Sequence, residues 1–341
     1  MQFQKNFSLK KYNTFGLSAT AKCFATFSSA EELKECLDEG KSVVRKMILG
    51  GGSNILFTRN FDGVVLKNEI LGMTIIEEDD EYVYIKAGAG VKWHSFVMFC
   101  VDHNFSGVEN LSLIPGNMGA SPMQNIGAYG VEIKDVFCNL EAFHLEEKTQ
   151  QKFSASDCEF GYRESVFKNK YKNQFAILNV TYRLKKHPEF KITYGSIEKE
   201  LEKMQVQELS VKAVSDAVIS IRSSKLPNPE TTGNAGSFFK NPIIGAPELQ
   251  KLRESNLLTD PNIPYYKIDD KNFKIPAGWL IEQCGWKGYR KGDVGCYNKQ
   301  ALVLINYGNA TGNEIYDLSE EIKISVKEKF NIELDREVNI V

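Results

Sequence analysis

The stretch at residues 112–130 reads SLIPGNMGASPMQNIGAYG, and its composition guides the interpretation of the whole 341-residue chain. It combines four glycines with small polar residues, which is typical of a loop. A solvated linker would rarely also carry the apolar residues Ile114, Met118, Met123, Ile126 and Tyr129. Long loops without secondary structure are usually functional when they are ordered. The stretch therefore predicts an ordered loop that contacts a ligand.

A second glycine-rich stretch, GGGSN at 50–54, follows the apolar strand candidate KMILG. Glycines let backbone N–H groups approach a pyrophosphate closely, and successive amides form an anion-binding nest. The stretch lacks both the GxGxxG spacing and the acidic residue about 20 positions further on that mark a Rossmann site. Taken alone, it is equally well explained as a tight turn. The two stretches lie about 60 residues apart, and together they favour an extended dinucleotide contacted at both ends.

Length, charge and cysteine content narrow the class of protein. The chain is long enough for two or three domains with a sizeable core. Its formal net charge of −2 gives no electrostatic argument for nucleic acid or an anionic membrane. No stretch approaches a membrane span in length, and the N-terminus lacks a signal-peptide pattern. The seven cysteines are scattered without a CxxC pair, so we expect no metal site, no disulfide framework and a cytoplasmic protein with reduced thiols.

Helix and strand patterns alternate irregularly along the chain. Ser29 and Glu32 have capping-box spacing ahead of an apolar stripe, and TGNE at 311–314 repeats that spacing ahead of a longer one. Helices are predicted over 29–40, 93–103, 210–225 and from 311 onward, and strands over 46–50, 63–68, 82–90, 175–184 and 301–306. The C-terminal segment NIELDREVNIV predicts strand, turn and strand. Without strict βαβ alternation, the pattern indicates the α+β class.

Further motifs extend the pattern over nearly the whole chain: NTFGL at 13–17, GYRESVFK at 161–168, RSSKLPNP at 222–229, GNAGSFFKNP at 233–242, AGWLIEQCGWKG at 277–288 and QALVLIN at 300–306. With the two glycine-rich loops, and in this order, they resemble the UDP-N-acetylenolpyruvoylglucosamine reductase family. The resemblance implies a vanillyl-alcohol-oxidase-type FAD-binding fold plus a C-terminal α+β substrate-binding domain. The implied FAD-binding region spans 1–205, with subdomains at about 1–68 and 69–205 that are completed by 331–341, and the substrate-binding domain spans 206–330.

The resemblance also implies the reaction. NADPH reduces FAD, reduced FAD passes a hydride to the enolpyruvyl group of UDP-N-acetylglucosamine enolpyruvate, and a proton completes UDP-N-acetylmuramate. This product is a peptidoglycan precursor, so the activity would serve cell wall biogenesis, cell shape and cell division. Flavin oxidases of the wider superfamily often carry a histidine for covalent flavin attachment where this chain has Asn54. We therefore expect dissociable FAD.

The resemblance assigns the FAD contacts to the two glycine-rich loops. The implied residues of the first loop are Gly50, Gly51, Gly52, Ser53 and Asn54. Those of the second loop are Ile114, Pro115, Gly116, Gly119, Ala120, Gln124, Asn125, Gly127, Ala128, Tyr129 and Gly130. The implied partners are the UDP-sugar and NADPH, and we expect a monomer that binds neither nucleic acid nor a membrane.

Ser237, within GNAGSFFKNP, invites the interpretation of a nucleophile, yet none of the four histidines lies near it in sequence. The resemblance implies that its hydroxyl instead donates a proton to a carbanionic carbon, a role that needs no histidine base. A hydroxyl is a weak acid, but the carbon that it protonates is strongly basic. The alternative is a turn residue that bonds its own backbone, as serines in Gly/Asn-rich loops usually do.

Two charged residues complete the implied catalytic group. Arg163 would hold the substrate carboxylate and stabilise an enolate-like charge, whereas an isolated arginine more often forms a surface ion pair, here with Glu164. Glu337 would orient a proton-relay water or polarise the enolate through a hydrogen bond. Without the resemblance it would be interpreted as a solvated acid, and Arg336 beside it leaves the local charge balance open.

Four residues are implied in binding the UDP-sugar. Lys225 and Asn241 match diphosphate contacts, although a lysine after a predicted helix is more often a partner of the helix dipole. Gln300 matches a further position in the UDP site. Tyr194, in ITYGSIEKEL, resembles the mobile tyrosine of one family subtype, and a core tyrosine is the alternative.

Two other functions fit parts of the pattern. A sugar or lactone oxidase of the same superfamily would share the loops, but Ser237, Arg163 and Glu337 argue against it. Such an oxidase would turn over with a sugar and O₂ in the absence of NADPH. A non-catalytic nucleotide-binding protein is the alternative from another class, and a colourless, flavin-free preparation would favour it.

Overall fold

The computed structural model describes residues 3–40, 43, 45–254 and 263–341. Within these ranges the chain forms two compact units. The first unit comprises the N-terminal residues up to Phe7, Thr20–Gly52 and Phe61–Ser224, and the second comprises Ser8–Ala19, Ser53–Asn60 and Lys225–Val341. Each unit is therefore discontinuous in sequence, and the GGGSN stretch is divided between Gly52 and Ser53.

In chain order the strands are β1 Gln4–Ser8, β2 Thr20–Phe27, β3 Lys46–Leu49, β4 Ile55–Leu56, β5 Phe61–Asn68, β6 Met73–Glu78, β7 Tyr82–Gly88, β8 Gly127–Ala128, β9 Val131–Glu132, β10 Phe137–His144, β11 Gln150–Ser154, β12 Phe175–Lys185, β13 Gly233–Ser237, β14 Ile243–Gly245, β15 Tyr266–Lys267, β16 Asn272–Lys274, β17 Arg290–Lys291, β18 Val294–Cys296, β19 Val303–Asn306 and β20 Asn339–Ile340. The helices are α1 Ala30–Glu39, α2 Trp93–Asp102, α3 Ile197–Lys203, α4 Val211–Lys225, α5 Ala246–Glu254, α6 Ala277–Gln283 and α7 Gly312–Phe330. Both units mix strands and helices, as the α+β pattern predicts. None of the helices in the described ranges is both long and apolar enough to cross a membrane.

The first unit begins with a four-stranded sheet in the order β1-β2-β5-β3, in which β5 pairs in parallel with both β2 and β3. Helix α1 starts at the predicted N-cap, where Ser29 Oγ accepts a hydrogen bond from Glu32 N at 3.1 Å. The Glu32 carboxylate accepts from Ser28 N at 2.7 Å, one residue before the position that a capping box requires. The predicted apolar stripe of this helix is buried and consists of Leu33, Cys36 and Leu37.

A five-stranded antiparallel sheet in the order β11-β10-β12-β7-β6 forms the larger part of the first unit. Helix α2 packs on it through Trp93 and Phe96, whose ring centroids lie 5.7 and 5.4 Å from that of Tyr182 on β12. The buried Tyr182 hydroxyl shares a hydrogen bond of 2.7 Å with the Ser121 hydroxyl in the second glycine-rich loop. The core of this sheet therefore also holds that loop.

The second unit contains a four-stranded antiparallel sheet in the order β13-β19-β18-β17, a small sheet in the order β14-β16-β15, and the parallel pair of β4 and β20. Helix α7 has the predicted capping box. Glu314 N donates to Thr311 Oγ1 at 3.2 Å, and Thr311 N donates to Glu314 Oε2 at 2.7 Å. The predicted core face of α7 is buried and consists of Ile315, Leu318, Ile322 and Val326.

The C-terminal segment differs from the predicted strand, turn and strand. Only β20 forms a strand, and before it Arg336 forms an isolated bridge with Phe239. Ile332 and Leu334 are buried in the core of the second unit. The alternation of apolar and polar residues therefore results from an extended segment. This segment packs its apolar side chains into the core but does not pair continuously with a neighbouring strand.

The two compact units do not follow the predicted domain boundaries. Helix α4 up to Ser224, predicted as part of the substrate-binding domain, lies in the first unit, and residues 331–341 lie in the second. Compactness does not identify what a unit binds, so the assignment of FAD to region 1–205 and of substrate to region 206–330 stays a prediction.

We expect Thr311→Ala to lower the free energy of unfolding by about 1 kcal/mol, because it removes the oxygen that accepts from Glu314 N at the start of α7. Asn313→Ala is the matched control, since Asn313 is exposed in the same turn and its replacement should change that free energy by less than about 0.5 kcal/mol. Urea unfolding followed by circular dichroism measures both variants. Equal stability of Thr311→Ala and the parent protein would show that this cap contributes nothing.

Candidate active site

The second glycine-rich loop is anchored to the segment that connects β7 to α2. Met118 N donates to Val91 O at 2.8 Å. The buried Asn117 side chain donates from Nδ2 to Gly90 O at 2.9 Å. Backbone and side-chain hydrogen bonds thus hold the loop against the sheet that carries the unit's core, and the loop is ordered, as its apolar residues predict.

The first glycine-rich loop meets the second within the first unit. A Cβ atom at Gly51 would lie 2.9 Å from Asn117 Oδ1 and 3.0 Å from Gly116 Cα. A Cβ atom at Gly119 would lie 2.7 Å from Ala89 Cβ. Cβ atoms rarely approach other atoms so closely. The two loops can therefore meet only because position 51 carries no side chain, and the second loop can lie against Ala89 only because position 119 carries none. We call this close contact of backbone segments the glycine cradle, defined here by Gly51, Gly116 and Gly119; backbone without side chains is what lets N–H groups approach a diphosphate.

Left-handed backbone conformations cluster in and beside the second loop. Leu113, Asn125 and Tyr129 have φ values of 59°, 44° and 49°, and Arg163 has a φ of 55°. This region is unfavourable for leucine, tyrosine and arginine, and such residues remain there only where their surroundings determine the conformation. Backbone strain of this kind is typical of ligand-binding sites.

Arg163 lies beside the second loop. Its Nη2 donates to Gly127 O at 2.6 Å, and its guanidinium carbon lies 5.5 Å from the centroid of the Tyr162 ring. The structure therefore brings this predicted catalytic residue to a loop that is predicted to contact FAD.

A half-buried cation that the sequence analysis did not single out lies in the same unit. Arg222 is on α4, and its Nε atom is buried without a hydrogen-bond partner among the described residues. Burial lowers the pKa of its guanidinium and the nearby Tyr129 raises it, yet an arginine keeps its proton in proteins. A buried charged donor without a partner is costly. Arg222 therefore fits an anionic or acceptor-rich group of a ligand.

His94 supports the second loop within electrostatic reach of Arg222. Its Nδ1 accepts a hydrogen bond from Leu113 N at 3.0 Å, and Leu113 is one of the residues with a left-handed backbone. Burial lowers the pKa of His94, and the positive charge of Arg222 lowers it further. The imidazole is therefore neutral at neutral pH, which keeps Nδ1 available as an acceptor. A single histidine in a predicted helix does not indicate this role, so the sequence analysis missed His94. Arg222 was also missed, although it lies in the motif RSSKLPNP, which could have identified it.

Tyr194 also packs on the second loop. A Cβ atom at Gly130 would lie 3.1 Å from Tyr194 Cβ. The buried Asn110 ties the two segments together, because its Nδ2 donates to Tyr129 O at 2.9 Å and to Lys191 O at 2.7 Å. Tyr194 thus lies beside residues predicted to bind FAD, and its role as the mobile tyrosine of one subtype stays a prediction.

In the second unit, Ser237 ends β13 between β19 and the C-terminal segment. Phe238 N donates to Leu302 O at 2.8 Å on one side, and Glu337 N donates to Phe238 O at 2.8 Å on the other. Gly236, with a φ of 68°, lies where the register of β13 shifts. Ser237 is half-buried, and its Oγ has no hydrogen bond among the described residues. Ser237 Oγ therefore does not bond the backbone of its own turn, as the alternative interpretation would require.

Glu337 lies on the segment that pairs with the Ser237 region. Asn54, the last residue of GGGSN, donates from Nδ2 to Glu337 O at 3.2 Å. The side chain of Arg336 contacts α7, where Nη2 lies 2.6 Å from Glu320 Oε1 and Nε donates to Ser319 Oγ at 2.9 Å. Arg336 therefore forms its ion pair with Glu320.

Two of the four residues predicted for UDP-sugar binding meet at the start of α6. Asn241 Oδ1 accepts from Ala277 N at 2.9 Å. A Cβ atom at Gly278 would lie 2.9 Å from Gln300 Oε1. Lys225 ends α4 as an exposed residue, and no ion pair or hydrogen bond between described residues joins its side chain to the other two.

Comparison with known proteins identifies the family. A family model described as FAD binding domain matches residues 21–149, and the model for the C-terminal domain of UDP-N-acetylenolpyruvoylglucosamine reductase matches residues 228–341. The UDP-N-acetylenolpyruvoylglucosamine reductase of Flavobacterium johnsoniae is 49% identical over 342 residues, with 100% of both chains covered. That of Amoebophilus asiaticus is 48% identical over 342 residues, with 100% of both chains covered. The chain belongs to the UDP-N-acetylenolpyruvoylglucosamine reductase family.

Membership of this family makes the chain an FAD-dependent oxidoreductase, as the motifs imply. The crystal structure of UDP-N-acetylenolpyruvylglucosamine reductase from Thermus caldophilus matches with a TM-score of 0.67 at 22% identity, covering 100% of this chain and 99% of that one. The predicted α+β flavoprotein fold with an added C-terminal domain is therefore confirmed. The glycine cradle, and an Arg222 Nε that has no partner among the described residues, are features of this chain that fit the FAD of the family.

We expect Arg222→Gln to raise the dissociation constant of FAD about tenfold to a hundredfold, because it removes a charged hydrogen-bond donor from a buried position. Acid precipitation, which releases dissociable FAD, provides the apoprotein, and quenching of flavin fluorescence measures the affinity. Arg183→Gln is the control, since Arg183 is exposed and stacks on Tyr82 in the same unit. An unchanged dissociation constant in Arg222→Gln would remove this residue from the flavin site.

Proposed function

We propose that the protein reduces the enolpyruvyl group of UDP-N-acetylglucosamine enolpyruvate with NADPH to form UDP-N-acetylmuramate for peptidoglycan synthesis. The names of the full-length relatives support this substrate class. The observation that carries the proposal is the pairing of the Ser237 region with the segment that bears Glu337. This pairing combines a hydroxyl that lacks a partner among the described residues with a nearby acid, which suits proton delivery.

When bound, FAD supplies the transfer of hydride from NADPH to the enolpyruvyl group. The glycine cradle and the backbone of both loops hold its diphosphate, since backbone amides can approach it where side chains are absent. Arg222 donates to an acceptor-rich part of the cofactor. Asn54 uses its amide to hold the Glu337 segment, which supports a cofactor that is not covalently attached.

Ser237 supplies the proton that completes the reaction. Reduction leaves a carbanionic carbon beside the substrate carboxylate, and Ser237 Oγ donates its proton to that carbon as a general acid. The hydroxyl is a weak acid, but transfer to so basic a carbon is downhill. Because Oγ has no hydrogen bond among the described residues, its proton is not committed to an acceptor within that part of the protein.

Arg163 and Glu337 stabilise and orient the reacting groups. The guanidinium of Arg163 presents parallel N–H donors that match a carboxylate, and its charge stabilises the developing enolate. Its Nη2 is already held by Gly127 O. Glu337 orients a proton-relay water or polarises the enolate, and the neighbouring Arg336 pairs with Glu320.

The UDP-sugar is bound by residues of the second unit. Asn241 and Gln300, which meet at the start of α6, contact the UDP part. Lys225 binds the diphosphate as an exposed point charge without an ion pair among the described residues. For Tyr194, which packs on the second loop, the role of the mobile tyrosine rests on the resemblance of its segment to one family subtype.

We extend the proposal to a monomeric, cytoplasmic enzyme that binds neither nucleic acid nor a membrane. The cysteines of the described residues form no disulfide with one another, and reduced thiols are typical of a cytoplasmic protein. Light scattering of the purified protein measures the oligomeric state. Turnover with a sugar and O₂ without NADPH would favour the alternative, an oxidase of the same superfamily.

We expect Ser237→Ala to separate the two half-reactions. NADPH should bleach the flavin absorbance at nearly the parent rate, because that step needs no proton from Ser237. Recovery of the absorbance on adding the enolpyruvyl substrate should slow by about 10²–10⁴-fold, the usual weight of a positioned general acid. Stopped-flow absorbance measures each step separately.

Two further variants make the Ser237 result interpretable. Ser237→Cys should recover part of the lost rate, because a thiol can also donate a proton. Ser18→Ala, at an exposed serine of the same unit, should leave both rates unchanged. If both half-reactions slow equally in Ser237→Ala, the substitution has disturbed the flavin site. If neither slows, Ser237 is not the proton donor.

We expect Lys225→Ala to weaken substrate binding about tenfold to a hundredfold, as for the loss of a hydrogen bond to a charged group. Reduction of the flavin by NADPH should change little. Lys251→Ala removes an equally exposed lysine from α5 and serves as the control. The substrate dissociation constant, measured from the change in flavin absorbance, decides the assignment. An unchanged constant would leave Lys225 as a partner of the α4 dipole.

A further inference from the structure

The side chain of Asn125 is fully engaged inside the first unit. Asn125 has no exposed surface and a left-handed backbone with φ 44° and ψ 63°. Lys134 N donates to its Oδ1 at 3.1 Å. Its Nδ2 donates to Glu132 Oε2 at 3.0 Å and to Gly161 O at 2.9 Å. Because a backbone N–H can only donate, the contact with Lys134 N fixes which end of the amide is oxygen.

These contacts place Asn125 in the connection between the second glycine-rich loop and the turn that carries Arg163. Asn125 donates from the loop to Gly161 O in the turn. In the opposite direction, Arg163 donates from the turn to Gly127 O in the loop at 2.6 Å. Gly161 and Glu164 close the turn by a mutual backbone pair, with N–O distances of 3.1 and 3.3 Å. Two hydrogen bonds that run in opposite directions therefore connect the same two segments.

Arg163 itself needs such support. Its φ of 55° is unfavourable for arginine and persists only where the surroundings determine the conformation. The turn is tied at Gly161 by a buried amide whose two hydrogens and oxygen are all used within the protein. Loss of this amide would remove the acceptor of Lys134 N and leave Gly161 O with only the 3.3 Å contact from Glu164 N, so the connection between the loop and the turn would weaken.

We propose that Asn125 is a positioning residue for Arg163, and that its amide acts on the protein turn and not on FAD. This inference rests on the proposed role of Arg163 in binding the substrate carboxylate. A guanidinium displaced by about 1 Å loses its alignment with a carboxylate, and displacements of that size cost roughly 10²-fold in rate. Asn125 therefore governs the substrate step without touching the substrate.

Asn125→Gly is the informative variant, because glycine adopts the left-handed conformation without strain and only the amide is lost. Asn125→Asp keeps an acceptor for Lys134 N but cannot donate to Gly161 O, and its charge faces Glu132. Asn104→Gly is the matched control, since Asn104 is exposed and has a similar φ of 57°. Thermal unfolding of each FAD-loaded variant confirms that it is folded at the assay temperature.

The first measurement is stopped-flow absorbance of the two half-reactions. Asn125→Gly and Asn125→Asp should slow flavin reoxidation by the enolpyruvyl substrate about 10- to 100-fold, and should slow reduction by NADPH much less. In an Arg163→Ala background, Asn125→Gly should cause no further loss, because residues that act through one another are not additive. Asn104→Gly should match the parent protein. Equal slowing of both half-reactions, or an additive loss in the double variant, would overturn the positioning role.

The second measurement does not depend on turnover. The Arg163 guanidinium signal in a ¹H–¹⁵N spectrum, assigned by its loss in Arg163→Ala, should shift and broaden in Asn125→Gly and stay unchanged in Asn104→Gly. An unchanged signal in Asn125→Gly would overturn the inference. If the parent protein does not reduce the enolpyruvyl substrate, the proposed function fails, and this spectrum still decides whether Asn125 positions Arg163.

Discussion

The close approach of Gly51 to the backbone of Gly116 and Asn117 is the constraint on which the cofactor-binding part of the first unit depends. A side chain at position 51 would push the two glycine-rich loops apart and open the cradle. The second loop can accept this contact because Asn117 and Met118 are tied to the connection between β7 and α2. The packing of α2 on the five-stranded sheet therefore sets the geometry of the predicted FAD site, which consists largely of backbone.

Asn125 and Arg222 of the first unit differ in whether their buried polar atoms have hydrogen-bond partners. Asn125 has every donor and acceptor of its amide in use, so it serves the protein's own geometry. Arg222 keeps a buried Nε without a partner in the described part of the chain. Because an unpaired buried donor is costly, it is expected where a ligand completes the hydrogen bond. The two residues thus support different proposals, a positioning role for Asn125 and a binding role for Arg222.

In the second unit, Arg336 and Glu337 are neighbours on one extended segment. Side chains of consecutive residues in an extended chain point to opposite sides. Arg336 contacts Glu320 and Ser319 on α7, and an extended backbone at Glu337 would turn the next side chain to the opposite side. The pairing with Phe238 fixes the segment beside Ser237. In the proposed mechanism a weak acid such as the Ser237 hydroxyl suffices because the proton acceptor is a basic carbon, so no histidine is needed.

The sequence by itself determined the features that depend on neighbouring residues. The N-caps at Ser29 and Thr311, the apolar faces of α1 and α7, the two glycine-rich loops and the family all follow from patterns a few residues long. Only the tertiary structure decided the features that join distant residues. The Asn54 amide meets Glu337 across 283 positions of the chain, and C-terminal residues that alternate like a strand are buried without forming one. Periodicity and capping are local, whereas burial and hydrogen-bond satisfaction depend on which segments the folded chain brings together.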